Sequence, residues 1–307
     1  MNTNSNHSNT FDSIGVAAAL LTASGWGLAG IFIRLLPNIS AYSIVAVRFT
    51  IALVVMIPLF WLIQKNHTIS IRSLRYAEYW HMSIILIGCY ILGTIAFQIA
   101  PVGEVTLLAS TAPLFIIVYR LLSHEMIQKN EFLGVLSAVL GISFIMFPKF
   151  SITETDVLQR LLGDGLALLV ALLLAYYAFR FRLLSNRGQA PDEKIVTFLT
   201  LTIGSIVLWA VTAVIPNAIK IQVLDKLVLV AFAGLGIFST AIPTLCYAIA
   251  SRRLPPILTT TMLLMEPIFA VIFAYLTLKE VPSPLFVPGG LMVLSGLVFI
   301  SKSKPIL

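Results

Sequence analysis

The sequence contains too little charge for a protein that dissolves in water. Charged residues make up 11% of the 307 residues, against about 25% in soluble domains. Hydrophobic residues reach 59%, where about 45–50% is usual. The composition therefore predicts an integral membrane protein. Only two cysteines and four histidines are present, which excludes a disulfide framework and argues against a structural zinc site.

Several motifs of catalysis and energy coupling are missing as well. The sequence has no phosphate-binding Gly-Lys-Ser/Thr loop, so direct use of ATP is not expected. It has no His-Glu-x-x-His segment and no nucleophile elbow, so the common zinc and serine hydrolases are not indicated. We expect no metal and no cofactor. The net charge of +7 does not indicate nucleic-acid binding, because the basic residues lie in short breaks between apolar runs.

Ten apolar runs are each long enough for a membrane-spanning helix, which needs about 20 residues. They leave too little chain for a soluble domain, and they are too long for the strands of a membrane barrel. The expected fold class is an all-α integral membrane protein with ten transmembrane helices. The predicted spans are 14–36, 43–63, 81–100, 104–123, 131–148, 164–184, 195–216, 227–250, 257–278 and 284–301.

The basic residues predict the orientation of these spans. Residues 1–13 are rich in Asn, Ser and Thr and lack the positive charge of a signal peptide, so we expect a disordered tail. The connections on the side of the N-terminus carry thirteen Lys and Arg residues, and those on the other side carry five. Connections rich in Lys and Arg stay in the cytoplasm. Both termini are therefore predicted to be cytoplasmic, in a multi-pass protein of a bacterial-type inner membrane.

The two halves of the chain resemble each other at a shift of 155 residues. With five spans each, the halves enter the membrane from opposite sides, and such inverted five-helix repeats are typical of secondary transporters that bind substrate between the halves. The predicted repeats are 14–148 and 164–301, with a periplasmic linker at 149–163 and a cytoplasmic tail at 302–307. The aligned pairs are Pro101 and Pro256, Glu125 and Glu280, Gly134 and Gly289, Gly141 and Gly296, and, one residue off, Pro113 and Pro267.

Three short motifs in these spans are similar to those of a known group. Residues 25–27 read Gly-Trp-Gly and are followed by Arg34, residues 47–49 read Val-Arg-Phe, and the ninth span holds Glu266-Pro267 and ends before Glu280. In this order and spacing they resemble the drug/metabolite transporter superfamily, in its EamA-type ten-helix form. The resemblance extends over nearly the whole chain, from residue 14 to residue 301.

The resemblance implies a transporter of a small polar or amphipathic molecule. An amino acid or related metabolite moved by alternating access is the leading expectation, with export favoured. Import or exchange of a cofactor-like or nucleoside-like solute, passive facilitation, and an integral membrane enzyme are the alternatives. The sequence departs from the family pattern at Ala112, where the first-half equivalent of Glu266 has no acid, and at Tyr176 and Tyr177, where members often carry Trp-Ala.

Glu266 is the first candidate for a functional residue, because an ionisable side chain within a span is costly. It lies nine residues into its span, about 13–14 Å deep at 1.5 Å per residue, and Pro267 disturbs the helix beside it. It could carry a proton or bind a substrate amine. Alternatively, it is a hydrogen-bonded residue that ties its helix to a neighbour.

The other side chains predicted to contact substrate are basic, aromatic or polar. Trp26 could stack on a substrate, with helix packing as the alternative. Arg48 could bind a substrate carboxylate, with an ion pair or snorkelling towards the interface as the alternatives. Four other side chains within the spans have a polar end on an apolar stem or ring, and one or two of them are expected to line the cavity. They are Gln98, Tyr176, Tyr177 and Tyr247.

Three charged residues near the ends of spans are predicted gate residues. Arg34 lies near the outer end of the first span, where snorkelling is the alternative. Glu125 and Glu280 end equivalent spans on opposite faces, where each could pair with a basic residue and close one face. The alternative for both is an ordinary surface carboxylate.

Small residues form packing stripes in three spans. Gly163, Ala167, Ala171 and Ala175 recur every four residues, which lets a neighbouring helix approach closely. Glycines in the fifth and tenth spans are predicted to do the same. These glycine stripes could also form the interface of a homodimer. The other expected partners are a small-molecule substrate and the lipid bilayer, with no nucleic acid.

Overall fold

The computed structural model describes residues 12–36, 39–64, 76–100, 102–122, 126–146, 157–214, 225–279 and 284–302. Within these ranges the regular structure is entirely helical. The helices are α1 (Ser13–Arg34), α2 (Ala41–Gln64), α3 (Ala77–Ile99), α4 (Val102–Ala109), α5 (Ala112–Leu122), α6 (Lys129–Met146), α7 (Val157–Asn186), α8 (Glu193–Val214), α9 (Lys226–Gly236), a π-helical segment (Ile237–Ala241), α10 (Ile242–Arg253), α11 (Pro256–Met262), α12 (Met265–Leu278) and α13 (Phe286–Ser301).

The described part of the chain contains eight segments that are long and apolar enough to cross a membrane. Three of these segments are composite, because α4 with α5, α9 with α10, and α11 with α12 each form one crossing. Together with α6, of 18 residues, and α13, of 16 residues, they follow the order of the ten predicted spans. The prediction of an all-α membrane protein is confirmed.

Proline explains the breaks in the fourth and ninth spans. A proline has no backbone N–H, and its ring clashes with the carbonyl of the residue four positions earlier. Helix α4 ends at Ala109, four residues before Pro113, and α11 ends at Met262, just before the corresponding position of Pro267. The disturbance beside Glu266 was expected from the sequence. The span predicted over 104–123 is found as one crossing, Val105–Leu122, and Pro113 divides it in the same way.

The helices pair symmetrically across the two halves. Helix α1 packs on α10, α11 and α12, and its second-half equivalent α7 packs on α3, α4 and α5. Helix α2 packs on α8, and α6 packs on α13. Every one of these pairings maps onto itself or onto another when the halves are exchanged, as an inverted repeat requires.

Two hydrogen bonds locate the axis that relates the halves. The hydroxyls of Thr50 and Ser205 are 2.9 Å apart, and the Ser137 hydroxyl donates to the Met292 carbonyl at 2.9 Å. Both pairs are separated by 155 residues, which is the shift read from the sequence. A residue touches its own repeat equivalent only near the symmetry axis, so the axis passes between α2 and α8 and between α6 and α13.

Glycines bring the backbones of α6 and α13 into contact. A Cβ on Gly141 would lie 2.5 Å from the Gly289 carbonyl oxygen, and one on Gly134 would lie 2.7 Å from that of Gly296. These glycines therefore pack within the chain, whereas a Cβ on Gly290 would meet nothing within 4 Å. The homodimer remains a prediction.

The small residues of the sixth span also pack as predicted. Ala167, Ala171 and Ala175 are buried, and a Cβ on Gly163 would lie 2.4 Å from that of Ala100. The stripe lies on α7, and its role in close helix packing is confirmed.

We predict that Gly141→Ala lowers the free energy of unfolding, whereas Gly290→Ala does not. The added methyl group at Gly141 meets a backbone oxygen that cannot rotate away, and overpacking of this kind costs about 1–3 kcal/mol. Thermal unfolding of both purified variants in detergent measures the difference. Equal melting temperatures for the two variants would contradict the assigned contact.

Candidate functional site

A cavity of about 240 Å³ lies between the two halves. Helices α1 to α5 of the first half and α7, α11 and α12 of the second half contribute to its walls. The contributing part of α1 begins at Trp26 and ends at Ile33, in the second half of that helix. On α1, the lining therefore extends from mid-helix towards the face opposite to the one where α1 begins.

Most of the cavity wall is apolar, and it carries one basic and one acidic residue. Among the described residues that line the cavity, Arg48 is the basic residue and Glu266 the acidic one. The first half supplies the cation and the second half the carboxylate. A cavity that is apolar, with a few placed polar groups, is the usual form of a small-molecule site.

Arg48 is held by the irregular segment of the eighth span. Its side chain donates from Nε to Thr240 Oγ1 and from Nη2 to the Ser239 carbonyl, each at 2.7 Å. That carbonyl is available because Pro243, four residues later, has no N–H to donate. The residue is only 3% exposed, so Arg48 is a buried side chain and does not snorkel to the interface.

Tyr90 links Arg48 to Trp26. The Arg48 guanidinium carbon lies 4.9 Å from the centre of the Tyr90 ring, within the range of a cation–π interaction. The Tyr90 hydroxyl accepts a hydrogen bond from Trp26 Nε1 at 3.1 Å and is 2.8 Å from Thr244 Oγ1. These three side chains form one continuous wall, and all three line the cavity.

Glu266 lies where the ninth span restarts, in the first turn of α12. A Cβ on Gly27 would be 2.9 Å from the Glu266 carbonyl oxygen, so the backbones of α1 and α12 touch beside Trp26. The Glu266 side chain is partly buried and lines the cavity. Within the described ranges its carboxylate has no hydrogen-bond partner and no ion pair. A bound solute or proton could therefore use it.

The structure brings three of the predicted residues together and separates the others. Trp26, Arg48 and Glu266 line the cavity. Tyr177 and Tyr247 lie next to it. Their rings stack with centroids 5.1 Å apart, and the Tyr247 ring centroid is 5.4 Å from that of Trp26. Both are fully buried, and they support the wall without lining it.

Two predicted cavity residues point elsewhere. Tyr176 is 37% exposed, and its hydroxyl lies 3.4 Å from His81 Nε2. Gln98 is exposed and is not part of the lining. Of the predicted gate residues, Glu125 and Glu280 lie outside the described residues, as does the side chain of Arg34.

Several polar residues that line the cavity were not predicted as cavity residues from the sequence. Tyr90 is the most important, and nothing in the sequence distinguishes it from the other tyrosines within spans. Three further lining hydroxyls bond to carbonyls of nearby residues in the preceding helical turn, which gives them the pattern of ordinary membrane-helix residues. They are Thr94, Ser110 and Thr260.

Comparisons with known proteins agree with this architecture. The model of a family described as the EamA-like transporter family matches residues 13–147 and again residues 161–302. One solved structure, described as the crystal structure of a protein, has a TM-score of 0.76 over 93% of this chain and 96% of its own length. Its sequence is 16% identical, so the likeness concerns the fold alone. A comparison with curated proteins gave no match.

We predict that Tyr90→Phe destabilises the protein, whereas Tyr176→Phe leaves its stability nearly unchanged. Loss of the buried Tyr90 hydroxyl leaves Trp26 Nε1 without its acceptor, and an unsatisfied buried polar group costs about 1–3 kcal/mol. Unfolding of the purified variants gives the two free energies. A Tyr90→Phe protein as stable as the parent would show that this hydroxyl does not hold the wall together.

Proposed function

The chain belongs to the EamA-like transporter family, and on that premise we propose that it is a secondary transporter that moves a small metabolite by alternating access. The observation that carries the proposal is the cavity between the two halves, with Arg48 and Glu266 in its wall. Family members are membrane transporters of small solutes. A single carboxylate among the described lining residues favours a carrier over an enzyme that needs convergent acids.

The symmetry of the chain supports alternating access. Inverted repeats can exchange conformations, so that one arrangement opens the site to one face and the exchanged arrangement opens it to the other. Pro113 and Pro267 break equivalent spans beside the cavity. These breaks give each half a place to bend without disturbing the helices on the symmetry axis, which are α2, α6, α8 and α13.

We propose an amino acid or a related metabolite as the substrate and export as the direction. One basic and one acidic side chain in the same cavity suit a solute with both charges. The bias of Lys and Arg supports cytoplasmic termini in a bacterial-type inner membrane. Export is supported by the family resemblance.

Coupling to protons is assigned to Glu266 in this proposal. Its carboxylate lines the cavity and has no partner among the described residues. A proton and a substrate amine can therefore compete for the same oxygens. Such competition couples the movement of one to the movement of the other.

We predict that Glu266→Gln abolishes accumulation of substrate driven by a pH gradient while counterflow continues. The experiment uses proteoliposomes and a panel of radiolabelled amino acids. We expect gradient-driven uptake to fall about tenfold or more, which corresponds to a free-energy change of about 1.4 kcal/mol or more. Asp225→Asn is the control, because it neutralises a carboxylate at the surface and keeps a capping side chain.

The outcomes separate coupling from transport. Full uptake that does not depend on pH in Glu266→Gln removes the coupling role and leaves a passive exchanger. Absence of counterflow for every solute offered to the parent protein contradicts the proposed carrier function itself.

A further inference from the structure

Arg48 is a buried cation, and the described groups that hold it are all neutral. An arginine stays protonated in proteins, and an isolated charge in a low-dielectric interior is costly. Its described partners are the Thr240 hydroxyl, the Ser239 carbonyl and the Tyr90 ring. No described carboxylate forms an ion pair with it, and its Nη1 group has no hydrogen bond to a described residue.

The side chain is positioned before any ligand arrives. Thr240 donates its own hydroxyl proton to the Leu235 carbonyl at 2.8 Å, which leaves its oxygen to accept from Arg48. The Ser239 carbonyl is fixed by the π-helical segment Ile237–Ala241. Because Arg48 lines the cavity, the remaining donors are available to a bound molecule.

We propose that the transported solute carries a carboxylate and that Arg48 binds it on the face of Tyr90. A guanidinium matches the planar, two-oxygen geometry of a carboxylate. The neighbouring Trp26, Phe97 and Leu263 offer apolar surface to the rest of the solute. Glu266 in the same cavity disfavours a doubly charged anion such as a phosphate. This inference rests on the proposed carrier function.

The test compares carboxylates with their carboxamides, which have the same shape and no charge. The purified protein is titrated with amino acids, aliphatic and aromatic monocarboxylates, their amides and the matching phosphonates, and thermal stabilisation reports binding. We expect at least one carboxylate to bind about ten- to hundredfold more tightly than its amide, as for a hydrogen bond to a charged group. Arg48→Gln removes this preference, and Arg48→Lys keeps part of it.

Three results would overturn the assignment. They are amides that bind as tightly as every carboxylate, a preference that survives in Arg48→Gln, and a phosphonate that binds more tightly than its carboxylate. Counterflow of a neutral or cationic solute would accompany the first result if the protein is a carrier of another class. The proposed function and the carboxylate site can therefore fail separately.

A second inference rests on a different observation, the ion pairs at the face where α1 begins, which we name the terminal face. Asp12 pairs with Arg253 at 2.9 Å, and Glu78 pairs with Arg180. Both pairs join the first half to the second. Two additional contacts tie the second-half helices together: Arg252 with Glu193, and Arg182 Nη1 with the carbonyls of Arg252 and Arg253 at 3.1 and 2.8 Å.

Along α1, the cavity lining ends well short of this face. Trp26, the first lining residue of α1, is fourteen residues beyond Asp12, a rise of about 21 Å along a helix. Along α7, the buried ring of Tyr177 lies between the lining residue Leu174 and the ion-paired Arg180, and the buried ring of Tyr247 stacks on it. Burial raises the pKa of the Asp12 carboxyl, but the hydrogen bonds from the Gly15 N–H and Arg253 have the larger effect. The net result is a pKa below the usual value.

We infer that the Asp12–Arg253 and Glu78–Arg180 pairs are the gate that closes the terminal face. They hold the two halves together on this side while the cavity lies towards the other side. When the cavity opens to the terminal face, these pairs separate.

The gate is tested by cysteine accessibility, which needs no known substrate. Ser110→Cys places a thiol in the cavity wall, in a background in which both native cysteines, Cys89 and Cys246, are alanine. A membrane-impermeant thiol reagent is added to inside-out vesicles, which expose the terminal face when the termini are cytoplasmic. Adding Asp12→Asn and Glu78→Gln should raise the labelling rate about two- to tenfold, as expected for two partly exposed pairs.

Two controls complete the design. Arg187→Gln removes an exposed charge near the same end of α7 and should not change labelling. When Glu78→Gln is replaced by the exchanged pair, Glu78→Arg with Arg180→Glu, slow labelling should be restored. An unchanged rate in the Asp12→Asn, Glu78→Gln protein, or an equal rise in Arg187→Gln, would overturn the gate assignment.

Discussion

A backbone carbonyl inside a membrane has no water to accept from, so each one released from a helix needs a partner in the protein. This constraint connects most of the cavity's features. Pro243 releases the Ser239 carbonyl, and Arg48 donates to it across the boundary between the halves. The arginine is then fixed beneath Tyr90, and Tyr90 fixes Trp26. A proline in the second half therefore determines where a first-half cation meets the cavity.

The cavity is symmetrical in its backbone and asymmetrical in its charges. Pro113 and Pro267 interrupt equivalent spans, yet Ala112 precedes the first and Glu266 the second. Arg48 has no basic equivalent, because the residue 155 positions later is Ile203. The shared breaks give the protein two related conformations, and the unshared charges give the cavity a preferred orientation of its solute.

The sequence was sufficient to predict the features that depend on local composition. The ten apolar runs, the shift of 155 residues and the cost of charge within a span identified the fold, the repeat and three cavity residues, Trp26, Arg48 and Glu266. The remaining features depend on contacts between distant segments. Tyr90 and Tyr176 are both tyrosines in apolar helices, and only the packing of α3 and α7 places one against the cavity and the other at an exposed position. The hydrogen bonds from Arg48 to the π-helical segment likewise join residues almost two hundred positions apart.

The contacts on the symmetry axis have a distinct role in a cycle that exchanges the two halves. Exchange of the halves moves Thr50 to the position of Ser205 and Ser205 to that of Thr50. Their hydrogen bond therefore maps onto itself. The two glycine contacts of α6 and α13, Gly141 with Gly289 and Gly134 with Gly296, map onto each other. Such contacts contribute equally to both conformations, whereas the ion pairs of the terminal face contribute to one. Substitutions on the axis thus alter how firmly the protein folds, and substitutions at the rim alter which way it faces.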